Sequence, residues 1–458
     1  MQIADPQIKP YSPFVFLCLL IPILVFATPA AGIEIQKGST TFDFNGYYKN
    51  LLSVTDTHDL YTDLGLIDKR FFLDDYNRLR LKTRLNIGET FEAMCHYEAF
   101  ISNGDTILVQ QRIEQMVRRL QAFGGLAPQQ QQMDSMMSLV SPQATPRFMD
   151  MQEELLLSGG QRMAHNIDRL VLRLNTQYVM AEVGRMALSW GSGRLWNPTD
   201  MWAPFSPTEI DKDEKQGMDL VHVTFNIPKV GDLEGVYAPL SFEDNYDVEN
   251  EDSSAGGRFR FHVGEYDISM MGGVFGPDAV AGLDFSGYLF DAGFRGEATY
   301  TFVDPEDEER DFVRAVLSVD YGWAVWGNPY LLVEGYFNGL GEPDPDDYLE
   351  RLEDESVQRQ ILMGRAFNLG RDYLTVMSSF TPHALVTVAL QPIMNLDDRS
   401  AFVSFYTKYA VTSYADLIAG TNLFFGGENT EFGGLKIEQF DIDLKNPDRY
   451  FLYLKAYF

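Results

Sequence analysis

The sequence predicts an all-β chain: one transmembrane antiparallel β-barrel of about 18 strands, within a range of 16 to 20, with a long, partly helical outer-loop insert. Three observations predict it. Segments of about ten residues alternate apolar and polar side chains with a period of two, which gives a strand one oily and one wet face. Long and short connections alternate along the chain, as they do when hairpins close a membrane barrel. No helical span is expected in the mature chain, because the longest apolar run, Phe14 to Phe26, falls short of the roughly 20 residues a spanning helix needs.

That run follows Lys9 and precedes the small residues Ala27-Thr-Pro-Ala-Ala-Gly32, the shape of a secretory signal peptide. Residues 1–32 are therefore expected to be removed, leaving 33–458 as one barrel. Cys18 goes with the signal, so Cys95 stands alone and no internal disulfide is expected. A closed hydrogen-bond ladder makes such staples less necessary. With no CxxCH run there is no covalent haem. No cofactor or metal is expected, and a net charge of −30 argues against nucleic-acid binding.

The first strand candidate is the aromatic-rich stretch Thr41 to Val54. The clearest pattern follows in Tyr76 to Ile87, where Leu79, Leu81, Thr83, Leu85 and Ile87 share one face and Arg78, Arg80, Lys82 and Arg84 the other. After a turn at Gly88-Glu-Thr90 the chain returns with Phe91, Ala93, Cys95, Tyr97 and Ala99 on the oily face, opposite Glu92, His96 and Glu98. The same alternation recurs around Arg169 and Arg173, His222, Arg258 and Arg260, Glu297, Asp320, and Val403. Parity in Val179 to Ser189 changes near Gly184-Arg185, which predicts a glycine-associated bulge.

Short turns are expected near Gly88, Tyr178, Pro228, Gly264, Asp291, Asn328, Pro382 and Thr412, with both chain ends on the side of these turns. Between them fall the longer links, of which 102–166 is the insert. Its Thr106 to Phe123 reads as a helix, with Ile113, Met116, Val117 and Leu120 at helical spacing. It is expected either to constrict the pore or to cap it from outside. Three other links, 243–252, 304–311 and 342–355, carry 6, 6 and 8 acidic residues against only Arg310 and Arg351. They read mostly as solvated loops, with divalent-cation bridging to lipopolysaccharide as the alternative.

In the last ten residues Tyr450, Leu452, Leu454, Ala456 and Phe458 share a face, while Arg449, Tyr453, Lys455 and Tyr457 fall on the other. A terminal strand of this spacing ending on an aromatic residue resembles that of Gram-negative outer-membrane β-barrels. The resemblance implies that the segment is the signal read by the barrel-assembly machinery, and that lipids and lipopolysaccharide surround the barrel. A homo-oligomer is a further expectation. A second resemblance lies in Gly184-Arg185, Trp190-Gly191 and Asn197-Pro-Thr-Asp200, which is similar to a hairpin-and-loop signature of several porin-like families. There Trp190, Trp196 and Trp202 suit an interfacial aromatic girdle. The alternative makes Trp196 and Trp202 a stacking platform for a solute at the mouth.

Side chains facing away from lipid line the lumen. The pore-lining candidates are Arg78, Arg80, Lys82, Arg84, Arg169, Arg173, Arg258 and Arg260 as a basic wall, with Glu92, His96, Glu98 and His222 among them. Opposed charged walls orient polar solutes and set ion selectivity. In the alternative, each Arg pairs with a carboxylate on the next strand and braces the wall. The acidic loops and basic wall favour opposite ions, so selectivity stays open. No histidine stands in a catalytic run, and no enzyme is expected. The leading expectation is a porin-like channel for passive diffusion of small hydrophilic solutes or ions. The alternative is a sheath or export barrel enclosing an electron-conduit cytochrome or a polysaccharide.

Overall fold

A computed structural model describes residues 32–122, 147–209, 214–240, 253–304, 310–352, 354–437 and 442–458. The expected signal run, residues 123–146 of the insert, and most of the acidic links 243–252 and 304–311 lie outside the described residues.

The strands in chain order are β1 (Ile33–Lys37), β2 (Thr40–Asp56), β3 (Phe71–Ile87), β4 (Phe91–Gly104), β5 (Gln152–Ser158), β6 (Gln161–Asn175), β7 (Val179–Met186), β8 (Met218–Ile227) and β9 (Gly231–Ala238). There follow β10 (Ser254–Val263), β11 (Tyr266–Phe275), β12 (Asp278–Leu289), β13 (Ala292–Phe302), β14 (Phe312–Gly322), β15 (Tyr330–Asn338) and β16 (Asp372–His383). The last are β17 (Val386–Asn395), β18 (Ala401–Thr412), β19 (Ala415–Phe425), β20 (Leu435–Ile437), β21 (Ile442–Leu444) and β22 (Asp448–Tyr457). Eighteen of them form a closed antiparallel barrel. Each pairs with the next barrel strand in the chain, and β22 pairs with both β19 and β2. Closure pairs every barrel strand on both sides and leaves the barrel no open edge.

The remaining strands are accessories. β5 lies beside the upper part of β6, and β20–β21 is a small hairpin in the last long loop. β1 takes the edge of β2 from Thr40 to Phe44, just below the point where β22 ends. At that seam Phe458 and Gly46 exchange backbone hydrogen bonds at 2.9 and 3.0 Å. A Cβ on Gly46 would stand 2.3 Å from the Arg80 carbonyl oxygen and 2.8 Å from the Phe458 ring. Only glycine lets the terminal aromatic ring lie against β2 there.

Period-two patterning sorts the two faces. Outward positions such as Phe91, Leu172, Val274, Leu317 and Leu452 are large, apolar and exposed. Inward positions such as Arg80, Glu234, Glu334 and Thr375 are polar and buried. The hairpin turns fall where the sequence places them, and 18 strands are enough to enclose a lumen.

One local expectation is corrected. β6 and β7 pair without a register shift from Asn175↔Met180 to Leu170↔Arg185, so there is no bulge at Gly184. Arg185 is instead fully buried against Asp219, at 2.9 Å, and hydrogen-bonded to the carbonyls of Ile167 and Met149. The chain just before β5 covers it, which removes the need to turn it inward.

Candidate functional site

The described residues of the connection from β7 to β8, 187–209 and 214–217, fold into the barrel and reach across the lumen. It does so because its turn-rich sequence frees backbone N–H groups that inward carboxylates can take up. Glu297 of β13 accepts from the N–H groups of Ser192, Gly193 and Thr199 and from the Thr199 hydroxyl at 2.8 Å. Glu334 of β15 accepts from Arg194 and Leu195 at 3.1 Å and from Trp196 at 2.9 Å. Gly191 and Gly193 are required here, since a Cβ on either would fall within 2.0 Å of Asn197 or of the Trp196 carbonyl. Further on, the Pro207 carbonyl meets Gln391 of β17.

Tryptophans lock the loop in place. Trp190 donates to Glu234 of β9 at 3.1 Å and meets Trp202 edge-on, and Trp202 meets Phe275. Trp196 donates to Thr375 of β16 at 3.1 Å and stacks on Tyr336 with centroids 4.6 Å apart. All three are buried, at 1%, 4% and 1% exposure for Trp190, Trp196 and Trp202. The girdle expectation is therefore corrected: these rings lie inside the barrel, where Trp190 and Trp196 find acceptors for their N–H groups and all three find aromatic partners. Nor do Trp196 and Trp202 present a free stacking surface at the mouth.

On its return the loop touches the opposite wall. Glu214 pairs with Lys82 and lies 3.7 Å from Arg80, and the Lys215 carbonyl accepts from Arg169. Burial works to raise the Glu214 carboxyl, and the hydrogen bond from Lys82 with the charges of Arg80 and Arg169 holds it below its usual range. The Lys215 ammonium reaches Asp200 at 2.6 Å and donates to the Leu188 carbonyl, tying the two ends of the loop together.

The structure brings the sequence-derived lumen residues onto one inner wall and pairs nearly all of them. Arg80 is 1% exposed between Glu98 at 2.7 Å and Asp168 at 2.8 Å, and it donates to the His96 Nδ1 at 3.0 Å. Arg78 lies 3.6 Å from Glu98, and Arg169 pairs with Asp168. Arg84 (3.7 Å from Glu92), Glu92, Arg173, Glu182, His222, Glu234 and Arg258 form a ladder of alternating charge across the strands. Arg260 pairs with Asp232. Such pairing offsets the cost of taking ions out of water. Arg84 keeps about half its side chain exposed.

Sequence reasoning named Arg78 and Lys82 but missed that Lys49 and Lys455 join them in a cationic cluster beside the seam. Lys455, Lys82, Lys49 and Arg78 stand 4.5, 5.2, 5.4 and 5.7 Å from the Tyr47 ring centroid. The inward parity of β2 and β22 was the signal that could have found it.

Above the crossing loop is a cavity of about 1540 Å³ that opens toward the long loops. Its walls include Tyr76, Phe100, Phe205, Thr208, Phe367 and Arg449. At its rim the described start of the insert, Asp105 onward, packs Val109 and Ile113 on Leu66 and Phe72. Elsewhere on the rim, Glu431 accepts from Asn395 at 2.8 Å, Asn368 at 3.2 Å, the Leu369 N–H at 3.3 Å and the Tyr373 hydroxyl. Burial pushes the Glu431 carboxyl up to about 7, opposed by the Tyr373 hydrogen bond.

The described strands thus close an 18-strand antiparallel barrel, and one of its own loops reaches across it. OccAB2 of Acinetobacter baumannii has a similar fold, with a TM-score of 0.52 over 91% of this chain and 98% of that one at 7% identity. OccAB1 of the same organism and opdK of Pseudomonas aeruginosa align over 91% of this chain, at TM-scores of 0.48 and 0.46 and 9% identity, covering 96% and 98% of their own chains. At such identity the likeness is one of fold. No family model matches the chain, and no curated protein sequence does.

Proposed function

We propose that the protein is a bacterial outer-membrane channel through which small hydrophilic solutes or ions diffuse without energy input. The observation that carries this reading is the loop after β7, anchored over Ser192–Thr199 to Glu297 and Glu334 on the inner wall below an open vestibule. A loop so anchored would narrow the passage, and Glu214, paired with Lys82 and 3.7 Å from Arg80, sets charges of both signs beside it. A sheath around a folded cytochrome needs a lumen free of the chain itself, and this lumen is not. Lipids and lipopolysaccharide would cover the apolar outer face, and the barrel-assembly machinery would close the seam at Phe458.

Solute uptake by liposomes carrying the purified protein tests the reading. A pentose is expected to enter faster than a trisaccharide, and both faster than into protein-free vesicles. Equal and negligible entry of both would remove the proposal.

A further inference from the structure

On the outward face the band of large apolar side chains is broken at Ser378. Tyr321, Leu331, Ser378, Leu390 and Phe405 stand in one cross-strand row over β14 to β18. Tyr321, Leu331, Leu390 and Phe405 are large and 36, 37, 42 and 42% exposed. Ser378 leaves a gap between them, and there the outer surface holds a groove of about 350 Å³. Trp323, Leu331, Phe380, Val388 and Leu390 line it with Ser378.

The sequence builds the walls of this groove. Trp326 meets Phe380 edge-on with centroids 5.0 Å apart, and Tyr321 meets Trp323 in the same way at 4.9 Å. Gly327, between these rings in the β14–β15 turn, has φ +80°, and a Cβ there would stand 1.9 Å from the Phe380 ring. Glycine alone lets the turn close onto that ring.

Two properties name the occupant. Apart from Ser378, whose hydroxyl turns to the Leu390 carbonyl at 3.4 Å, the outward-facing lining is apolar or aromatic. At the turn end stand Trp323 and Trp326, 41% and 76% exposed, and their indole N–H groups make no hydrogen bond among the described residues. An occupant therefore needs a slim apolar body with hydrogen-bond acceptors at one end. An acyl chain joined to its glycerol ester has that form, and tryptophan at a membrane interface suits such acceptors. The volume lies at the low end of small-ligand sites. A stable contact between two protein chains takes about 20–30 residues a side, far more than line this groove.

We propose that the groove between Trp323 and Phe380 holds one acyl chain of a glycerophospholipid, with the lipid's ester and phosphate oxygens at the Trp323 and Trp326 N–H groups. The short turns lie on the expected periplasmic side, so the lipid belongs to the inner leaflet. The site requires the barrel to sit in a membrane, and it stands whether or not the lumen conducts.

Native mass spectrometry and tryptophan fluorescence on the purified full-length barrel test it together. The probe is phosphatidylethanolamine brominated midway along one acyl chain, added to the delipidated barrel in dodecyl maltoside. Wild type is expected to carry one lipid per barrel. Bromine quenches only nearby indoles, so binding should dim Trp323 and Trp326 and spare Trp190, Trp196 and Trp202, which are buried inside the barrel. Ser378→Phe, which fills the groove, is expected to lower both the lipid-carrying fraction and the quenching at least fivefold. Ser378→Leu serves if that variant does not fold. Ala281→Phe, a similar change at another exposed outward position, is expected to alter neither. Lipid binding indifferent to both Ser378 variants, or reduced as much by Ala281→Phe, overturns the site. A mass of two chains that Ser378→Phe returns to one would assign the groove to a second copy and overturn it too. Bound lipid without any conductance would keep the site and sink the channel reading. Conductance with no bound lipid would do the reverse.

Discussion

Replacing Glu334 by glutamine is the sharpest test of how the crossing loop is held. Glu334 is fully buried, with one carboxylate oxygen receiving the N–H groups of Leu195 and Trp196 and the other receiving that of Arg194. A hydrogen bond to a charged group contributes about 1.5–3 kcal/mol net. Glutamine keeps a carbonyl for Leu195 and Trp196 but loses the charge on it. Toward Arg194 it turns an NH₂ group, which sets donor against donor in a dry site. Discounting for relaxation, the change should cost the docked loop roughly 2–3 kcal/mol, a ~30- to 150-fold shift between docked and undocked states. The barrel strands themselves are untouched, so the folded, heat-modifiable band should persist on electrophoresis. In a planar bilayer the variant should show a noisier open state with excursions to higher conductance, and Glu297→Gln should show the same at the other anchor. A Glu334→Gln trace matching wild type in both mean and noise would refute the anchoring argument.

Further outcomes follow from the same geometry. Arg84, half exposed, should respond to Arg84→Glu with a reversal potential shifted toward cations in a salt gradient, whereas Arg80→Glu should chiefly unfold the wall. It would leave Glu98 and Asp168 facing a third carboxylate, a loss of about 3–5 kcal/mol that thermal denaturation would read. Glu431, pushed up to about 7 when docked, binds more protons docked than free. Docking of 426–434 is therefore fully supported below the ordinary glutamate range and is lost as pH rises through 7. Protease cleavage within 426–434 should be faster at pH 8 than at pH 5.5 relative to a reference site, and Glu431→Gln should flatten the difference. Gly46→Val should lower the yield of closed barrel, measured as the heat-modifiable fraction, because its side chain would occupy the space of the Arg80 carbonyl and the Phe458 ring.

The architecture was legible because membrane barrels write it in a short code. Ten-residue alternation around Arg78 to Arg84, repeated along the chain and punctuated by turns such as Gly88-Glu-Thr90, leaves few other folds. The terminal strand was readable for the same reason, and its partner β2 could be named from connection parity. The crossing loop was not legible. Trp190, Trp196 and Trp202 have the composition of an interfacial girdle, and period-two reasoning stops at Met186 where the strand ends. What draws them inward is the pair Glu297 and Glu334, over a hundred positions later. On paper those two look like any other lumen carboxylate, and only closure of the sheet brings them opposite the loop. Arg185 misled for a related reason: its cover is the chain before β5, which no local pattern announces.

The proposed channel is an open passage narrowed by the loop that Glu297 and Glu334 hold, residues 187–209. Current through the purified wild-type protein in a planar bilayer tests it most directly. The account predicts discrete, stable steps of conductance that persist at low voltage and show measurable ion selectivity in a salt gradient. Insertion into the bilayer with no conductance steps at any voltage, for protein verified as folded, would contradict it.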